Sequence, residues 1–275
     1  MNRMNGKICI VTGSTQGFGA AIAHRLAEAG AAGLVTLGRN EAKGRIVAET
    51  ITRETGVTAH FVRADVGRVA DCRRVMEEAD RLFGRVDVLV NAAGITDRGT
   101  ILDTSPDLFD ALFAINVRGP FFLMQEAIRR MIRDGIEGSI VNIGSISAHA
   151  GQPFLSAYCS SKGALTTLTR NTAFAVMGNR IRVNQLNVGW MATEHERVLQ
   201  AEATGDPDWE TKAAANLPFG RLVDPAEAAR AVNFMASDDA GMMTGAIVNY
   251  DQSVWGAANS MPVPEGPMRL PAAAE

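Results

Sequence analysis

Short apolar runs rich in β-branched residues alternate along the chain with longer amphipathic runs, and this alternation strongly constrains the possible folds. The short runs predict strands at 7–12, 33–38, 58–63, 86–91, 138–143, 180–186 and 246–250. The long runs predict helices at about 17–29, 41–55, 68–83, 105–134, 155–177 and 224–237. Strands and helices at this spacing form βαβ units, whose right-handed crossovers place the strands parallel. We therefore expect an α/β fold: a doubly wound, mostly parallel seven-stranded sheet with helices on both faces, the Rossmann fold.

A single domain of residues 1–255 accommodates this pattern, although one internal segment interrupts it. Residues 188–223 are polar, contain two tryptophans and separate a predicted strand from the last long helix, which is typical of a substrate loop or lid. Residues 256–275 contain four prolines and are expected to form an extended or disordered tail.

Charge, hydropathy and cysteine content narrow the functional class. The formal net charge of -3 gives no electrostatic reason to expect binding to nucleic acid or to an anionic membrane. No apolar run approaches the roughly 20 residues that span a bilayer. The three cysteines form no C-x-x-C pair, which fits a reducing compartment. We expect a cytoplasmic protein whose partner is a small-molecule substrate.

A glycine-rich loop follows the first predicted strand and opens the first helix. Its residues are Gly13, Ser14, Thr15, Gln16, Gly17, Phe18 and Gly19. Glycines let the backbone turn sharply and approach a pyrophosphate, while the helix N-terminus supplies free N–H groups. The spacing G-x-x-x-G-x-G differs from the common dinucleotide fingerprint and from a P-loop, so the loop alone is compatible with a mere tight turn. Its position after the first strand favours cofactor binding.

The ends of the third and fourth predicted strands carry matching features. The residues concerned are Asp65, Val66, Asn91, Ala92, Ala93 and Gly94. The Asp65 carboxylate can accept from an adenine amino group, and the small residues after Asn91 let the backbone pass close to a ribose. Each feature alone also fits a helix cap or simple packing, but their occurrence at successive strand ends favours a dinucleotide site.

Tyr158 and Lys162 stand four residues apart at the start of a predicted helix, so they lie on one face, one turn apart. An ammonium group near a phenol favours the phenolate and lowers the pKa of the tyrosine. Such a phenol can exchange a proton with a carbonyl or alcohol oxygen. Ser145 follows the fifth strand at the edge where α/β sheets bind ligands, and its hydroxyl can hold the same oxygen.

Taken together, these motifs resemble those of the short-chain dehydrogenase/reductase family, main non-extended branch, over roughly residues 5–255. The matching pieces are TGSTQGFG at 12–19, NAAG at 91–94, Asn116 within Ile115-Asn116-Val117, Ser145, and YCSSK at 158–162. The resemblance implies hydride transfer between NAD(P) and a carbonyl/alcohol pair. It also implies homotetramers formed through the helices at 105–134 and 155–177.

The resemblance assigns roles to individual residues. The catalytic residues would be Asn116, Ser145, Tyr158 and Lys162, with Tyr158 as the acid/base, Ser145 positioning the substrate oxygen and Asn116 holding a water that relays protons to Lys162. The glycines of the loop would wrap the pyrophosphate.

Further cofactor contacts are implied near the nicotinamide and the adenine. Tyr158 and Lys162 would also meet the cofactor, Lys162 at the nicotinamide ribose, and Thr193 would bind the carboxamide. Asp65 and Val66 would meet the adenine, and Asn91 would fix its strand against the cofactor.

Three departures from the family pattern leave the catalytic groups in place but put the class of substrate in doubt. The second Asn of the usual Asn-Asn-Ala-Gly is Ala92, the usual Pro-Gly after the sixth strand is Val188-Gly189, and the usual Asp-Gly-Gly near the C-terminus is 251–253, Asp-Gln-Ser. Val188 and Gly189 would still form the turn on the nicotinamide side.

The end of the second predicted strand bears on the choice between NAD and NADP. An acidic residue there would bind the ribose hydroxyl, but the chain has Arg39, whose guanidinium can pair with a 2′-phosphate. The second basic residue common in NADP-preferring relatives is absent, because Gln16 occupies its place. Arg39 can also stack on adenine in an NAD enzyme. The sequence favours NADP and leaves NAD as the alternative.

Residues near Ser145 and within 188–223 are expected to line the substrate pocket. The substrate-binding candidates are Ser145, Ser147, His149, Gln152, Trp190 and His195. Their many hydrogen-bonding groups suit a sugar, a polyol or a hydroxy acid. The run Glu194-His195-Glu196 lacks further ligands, so no metal is expected.

Two other functions stay open. A 3-oxoacyl-thioester reductase of lipid synthesis would present a basic surface to an acidic carrier protein, and Arg129, Arg130 and Arg133 offer a small one. A non-catalytic NADP-binding sensor would keep the fold, although the intact catalytic residues argue against it.

Overall fold

Seven parallel strands form one sheet in a computed structural model that describes residues 4–149 and 151–254, apart from the side chains of His195 and Ala203. The strands are β1 (Ile8–Thr12), β2 (Gly33–Gly38), β3 (Ala59–Arg63), β4 (Val88–Asn91), β5 (Ser139–Ser145), β6 (Arg182–Val188) and β7 (Ile247–Tyr250). Their order is β3-β2-β1-β4-β5-β6-β7. The predicted doubly wound fold is confirmed, and every pair of neighbouring strands is parallel.

Helices connect the strands and cover both faces of the sheet. They are α1 (Gly17–Glu28), α2 (Glu41–Thr55), α3 (Val69–Phe83), α4 (Pro106–Phe113), α5 (Gly119–Asp134), α6 (Ser156–Val176), α7 (Glu194–Thr204), α8 (Trp209–Ala215) and α9 (Pro225–Ala236). β1 pairs with both β2 and β4, so the strand order reverses there. In a sheet of this kind the crevice for ligands opens at that reversal, outside the carboxyl ends of the strands.

Two hydrophobic clusters occupy the two faces of the sheet. Ile10 of β1 belongs to the cluster covered by α3, α5 and α6, whereas its neighbours Cys9 and Val11 belong to the cluster covered by α1 and α9. Successive side chains of a strand point to opposite faces, so a strand buried on both faces is mostly apolar, as in β1, β2 and β4. These strands were recognisable as apolar runs, whereas the buried strand β6 also carries polar side chains.

The structure differs from the sequence prediction in two connections. The single helix predicted at 105–134 is divided, because a five-residue π-helix at Ala114–Arg118 separates α4 from α5. Pro120, the second residue of α5, cannot donate a backbone hydrogen bond, which favours such a local rearrangement. The region 188–223 was predicted without helices, yet it contains α7 and α8. The predicted tail at 256–275 lies outside the described residues.

No helix in the described part of the chain has the length and hydropathy to cross a membrane.

A chain of buried amide and hydroxyl groups crosses the sheet between β4 and β6. Asn91 donates to Asn142 over 2.8 Å, and Asn142 donates to Thr169 of α6 over 2.9 Å. Thr169 in turn bonds to Gln185 over 3.0 Å, and Gln185 donates to Asn187 over 2.7 Å. Buried polar groups cost little only when they are hydrogen-bonded, so these side chains need one another.

Gly144 makes room for this chain, and we predict that Gly144→Ala destabilises the protein by about 1–3 kcal/mol through overpacking and lost hydrogen bonds. A Cβ at this position would overlap Asn187 Oδ1 and Gln185 Nε2. The measurement is the free energy of unfolding in urea. Gly163→Ala in α6 is the control, because its Cβ would lie 3.8 Å from the Ala148 carbonyl oxygen, an ordinary contact. Equal effects of the two substitutions would contradict the argument.

Candidate active site

The candidate site lies at the carboxyl edge of the sheet, where β1, β4, β5 and β6 end. Ser145, the last residue of β5, pairs in register with Val188, the last residue of β6. Thr12 ends β1, and its hydroxyl accepts hydrogen bonds from the backbone N–H groups of Ala92 at 2.9 Å and Ala93 at 2.8 Å. The segment after β4 is thereby fixed against the glycine loop after β1.

Three glycines of the loop occupy positions that no other residue fits without strain. Gly13 has φ +65°, and a Cβ on it would lie 2.7 Å from Ala93 Cα. A Cβ on Gly19 would lie 2.7 Å from the carbonyl carbon of Gly13. Gly17 has φ +57°, in the left-handed region that favours glycine. The loop therefore forms a narrow backbone turn that ends at the N-terminus of α1, an arrangement that can hold a pyrophosphate.

The side chains between these glycines hold the loop to its surroundings. The Ser14 hydroxyl is buried, donates to the Val11 carbonyl over 2.8 Å and accepts from Leu37 N over 2.9 Å. Thr15 lies over Gly38 at the end of β2, because a Cβ on that glycine would lie 2.6 Å from the Thr15 methyl group.

Phe18 is partly buried against the cluster of Met191, Val223 and Ala228. This contact joins the first turn of α1 to the segment that follows β6 and to α9.

The adenosine side of the crevice contains an exposed cation at the end of β2. Arg39 is exposed and forms no ion pair with the described residues. Lys43 of α2 reaches back to the loop, where its Nζ donates to Gln16 Oε1 over 2.9 Å. Asp65 is half-buried and its Oδ1 accepts from Gly67 N at 2.9 Å, while Val66 is 8% exposed beside it. Two cations therefore lie near the loop, one of which sequence analysis missed.

Asn116, Gly94 and Lys162 come together beneath the crevice. Asn116 lies on the π-helix and is buried; its Oδ1 accepts from Ile95 N, and its Nδ2 donates to the Ile95 carbonyl and to Ser161 Oγ, each over 3.1 Å. A Cβ on Gly94 would lie 3.3 Å from Asn116 Oδ1 and 3.5 Å from Lys162 Nζ.

Asn91 contributes a buried amide at the end of β4. Its Nδ2 is used in the polar chain across the sheet, whereas its Oδ1 has no hydrogen-bond partner among the described residues.

Tyr158 and Lys162 are both buried, and burial dominates the behaviour of each. Burial raises the pKa of Tyr158 to about 12, although a hydrogen bond with Ser145 opposes this shift. Burial lowers the pKa of Lys162 to about 8. Lys162 Nζ donates to the Ile143 carbonyl over 3.0 Å and lies 5.7 Å from the centre of the Tyr158 ring.

The expectation that Lys162 lowers the pKa of Tyr158 is therefore wrong for this arrangement, because withdrawal from water disfavours both charged forms. The spacing of the two residues along α6 was predicted correctly, but spacing alone does not indicate how deeply the pair is buried.

On the substrate side, three of the predicted residues form a short hydrogen-bonded chain. Ser145 Oγ donates to Ser147 Oγ over 3.0 Å, and Ser147 Oγ donates to Gln152 Oε1 over 2.5 Å. His149 is exposed and its Nε2 lies 3.2 Å from Asn249 Oδ1 of β7.

The segment after β6 approaches the same edge. Trp190 stacks on Trp209, and the ring centres are 5.7 Å apart. Its indole Nε1 donates to Glu196 Oε1 over 2.8 Å. Thr193 caps α7 by accepting from Glu196 N at 3.2 Å. The side chain of His195 lies outside the described residues.

The turn after β6 meets the glycine loop and the end of β7. The Thr193 methyl group would be 3.7 Å from a Cβ on Gly17. A Cβ on Gly189, the residue after Val188, would overlap the Asp251 carboxylate. A side chain at Gly189 would therefore require the Asp251 carboxylate to move.

Sequence reasoning did not single out Lys43, Ser161 or Glu196, whose contacts lie in this region. Lys43 is 27 residues from Gln16, and its contact depends on how α2 packs beside the loop. Ser161 lay within the YCSSK motif without an assigned role. Within the described residues, no group of three or more His, Cys, Asp or Glu side chains is placed to hold a metal ion.

Comparisons with known proteins agree with this fold. Residues 13–253 match the family model described as Enoyl-(Acyl carrier protein) reductase. An uncharacterised oxidoreductase of Thermotoga maritima is 37% identical over 249 residues, which are 90% of this chain and 96% of that protein. Versicolorin reductase 1 of Aspergillus parasiticus is 35% identical over 257 residues, 91% of this chain and 97% of that protein. The crystal structure of L-sorbose reductase from Gluconobacter frateurii, complexed with NADPH and L-sorbose, matches with a TM-score of 0.87 at 28% identity, over 92% of this chain and 98% of that chain.

A parallel seven-stranded sheet with a glycine loop at its strand reversal is the architecture of an oxidoreductase that uses a dinucleotide. The chain belongs to the short-chain dehydrogenase/reductase family, and it is an NAD(P)-dependent enzyme of that family. The family predicted from the sequence motifs is confirmed.

Burial of Lys162 predicts a pH-dependent cost to stability. Its folded pKa of about 8 lies below the ordinary 10.5, so between these values the unfolded chain binds more protons and stability rises with pH. Below pH 8 the charged lysine costs on the order of 3 kcal/mol, and above pH 10.5 this cost disappears. We therefore expect the stability of Lys162→Met relative to the parent to fall between pH 7 and pH 10, measured by urea unfolding. A difference that stays constant with pH would contradict the assignment.

Proposed function

We propose that the enzyme transfers a hydride between NADP and the carbonyl/alcohol pair of a small polar substrate (a sugar, a polyol or a hydroxy acid), with Tyr158 as the acid/base. The observation that carries the proposal is the buried Tyr158, hydrogen-bonded to Ser145 and followed one helical turn later by Lys162. This group lies at the same sheet edge as the glycine loop.

The residues present fit a dinucleotide cofactor. Gly13, Gly17 and Gly19 would surround the pyrophosphate, because they allow the narrow backbone turn that ends at the N-terminus of α1, where free N–H groups can hold an anion. The unpartnered Oδ1 of Asn91 lies at the end of the neighbouring strand. When bound, the nicotinamide supplies or accepts the hydride.

Five further residues would complete the cofactor site. Asp65 and Val66 would meet the adenine, and Val188, Gly189 and Thr193 would lie on the nicotinamide side.

The side chains supply the proton chemistry of the reaction. A phenol with a pKa of about 12 is protonated at neutral pH, so Tyr158 can donate its proton to a carbonyl oxygen as that carbonyl is reduced to an alcohol. The Ser145 hydroxyl would hold the same oxygen. Lys162, whose pKa is about 8, can take up and release a proton near neutral pH, and Asn116 lies beside it.

A polar pocket supports a polar substrate. Ser147 and Gln152 extend the hydrogen-bonded chain from Ser145, and His149 and Trp190 add further polar groups at the edge. L-sorbose reductase, a structural neighbour, is named for a ketose. His195 is proposed as a further pocket residue on sequence grounds alone.

A 3-oxoacyl-thioester reductase is the second candidate, because the matching family model is described as Enoyl-(Acyl carrier protein) reductase. The basic surface that such a reductase would present to its carrier protein has little uncompensated positive charge here. Arg129, Arg130 and Arg133 are paired with the carboxylates of Glu126 and Asp80. Paired arginines attract an acidic carrier protein less strongly than free ones.

NADP is proposed ahead of NAD because two cations approach the place where a 2′-phosphate would lie. Arg39 is exposed without an ion pair to any described residue, and the Lys43 ammonium has a neutral amide, that of Gln16, as its partner. A phosphate would compensate both charges.

A homotetramer is proposed from the apolar face of α4 and α5. A groove of about 650 Å³ runs along these helices and is lined by Phe113, Val117, Phe121 and Phe122 among others. Phe109 and Phe121 are 45% and 44% exposed. Apolar surface of this kind is typical of an interface between subunits.

A cytoplasmic location and a lid role for 188–223 are also proposed. The described cysteines are all free, which agrees with a reducing compartment. The start of α7 lies against the glycine loop, which agrees with a segment that covers the substrate.

Tyr158→Phe is expected to lower turnover by at least about a thousandfold, at the upper part of the range for acid–base catalysis, while cofactor binding is retained. The measurement is nicotinamide absorbance with sugars, polyols, hydroxy acids and oxoacyl thioesters, each with NADP and NAD, alongside a binding titration of cofactor. Turnover confined to thioesters would favour the second candidate. An unchanged rate in the variant would contradict the role of Tyr158.

Arg39→Ala is expected to raise the Michaelis constant for NADP at least about tenfold and to change that for NAD little, because it removes a charge-assisted bond to the 2′-phosphate. Arg45→Ala is the matched control, since Arg45 on α2 is exposed and already paired with Glu41. Equal changes for both cofactors would show that Arg39 binds adenine rather than phosphate.

A further inference from the structure

Glu196 of α7 is a half-buried carboxylate whose hydrogen-bond donors are neutral. Its Oε1 accepts from Trp190 Nε1 over 2.8 Å and from Gln200 Nε2 over 2.7 Å. Arg197, the next residue, is directed to Glu210 and Glu194 instead. Across the described residues, no lysine or arginine forms an ion pair with Glu196, so within this part of the chain its negative charge is met only by neutral hydrogen-bond donors.

The anchors of Glu196 place it at the catalytic edge of the sheet. Trp190 follows two residues after Val188, which pairs in register with Ser145. Thr193, whose hydroxyl accepts from Glu196 N, lies against Gly17 of the glycine loop. The start of α7 is therefore bounded by the strand end that carries the catalytic serine and by the cofactor loop.

The electrostatic field of this carboxylate reaches the catalytic phenol. Burial is the largest cause of the raised pKa of Tyr158, and the negative charge of Glu196 acts in the same direction. A charge that acts on the phenol acts also on a charged group of the substrate held beside that phenol.

We infer that Glu196 selects substrates by charge: it favours neutral polyhydroxylated or cationic carbonyl compounds and disfavours those that carry a carboxylate. The inference rests on the proposed function and narrows it, because it removes hydroxy acids from the three substrate classes and leaves sugars and polyols. A bound hydroxyl group can donate to the carboxylate, whereas an anion meets uncompensated repulsion in a crevice partly closed to water.

The alternative is that Glu196 merely anchors the Trp190 indole. An anchor would affect all substrates alike, since a displaced tryptophan changes the shape of the pocket and not its charge. Charge selection changes the rates for anionic and for cationic substrates in opposite directions, each measured relative to a neutral substrate. The two roles are therefore separated by ratios between substrates rather than by absolute rates.

The test compares kcat/KM with NADPH for three ketoses: neutral L-sorbose, anionic 5-keto-D-gluconate and cationic 1-amino-1-deoxy-D-fructose. Glu196→Gln is expected to raise the anion-to-neutral ratio about tenfold and to lower the cation-to-neutral ratio by a similar factor. Glu196→Asp, which keeps the charge, should retain most of the parent's preference. Glu202→Gln removes an exposed carboxylate from the same helix and should leave both ratios unchanged. Ratios in Glu196→Gln that equal those of the parent overturn the inference.

A second measurement needs no substrate. If none of the three sugars is reduced, that result counts against the proposed function, and this measurement still tests the inference about Glu196. The chain has two tyrosines. The pH titration of tyrosinate absorbance is recorded for each protein and for the same protein carrying Tyr158→Phe, and the difference between the two curves is the titration of Tyr158. Glu196→Gln is expected to lower the pKa of Tyr158, because a negative charge is removed. An unchanged pKa would overturn the inference even if the enzyme reduced sugars.

Discussion

The hydroxyl of Thr12 accepts two backbone hydrogen bonds, from Ala92 and Ala93, and the geometry of the whole crevice depends on this contact. It joins the ends of β1 and β4 at the point where the strand order reverses. Gly13 then passes so close to Ala93 that it cannot carry a side chain. Close backbone contacts therefore hold the segments after β1 and β4 together at the strand reversal.

Burial determines how firmly Tyr158 and Lys162 hold their protons. The pKa of Tyr158 rises to about 12 and that of Lys162 falls to about 8, so a proton is held far more firmly by the phenol than by the amine. A phenolate–ammonium pair is consequently disfavoured in this arrangement. Under the proposed function, the protonated phenol would give its proton to a carbonyl oxygen as that carbonyl is reduced.

The sheet and the glycine loop could be predicted from sequence because their signals are local. Each predicted strand lies within two residues of the observed one at both ends, because most of the strands are short runs rich in apolar and β-branched residues. The glycine positions follow from steric rules that act within the loop itself. Tyr158 and Lys162 could be paired because four residues make one helical turn.

The remaining features depend on contacts between distant parts of the chain. Hydrophobic periodicity does not distinguish a π-helix from an α-helix, so the rearrangement that places Asn116 was not visible. The depth at which Lys162 is buried is a property of the assembled core. The contact between Lys43 and Gln16 requires α2 to pack beside the loop, and no local pattern encodes it.

The segment after β6 is held together mainly by its own contacts. The stacked rings of Trp190 and Trp209 and the ion pair of Arg197 with Glu210 join α7 to α8, while a backbone bridge of Met191 with Val223 closes the segment at its base. Such a unit can change the charge it presents to the crevice without disturbing the strand ends beneath it. Under the proposed function, the sheet edge and α6 would carry out the reaction and bind the substrate oxygen, and α7 with its anchors would add the selection by charge.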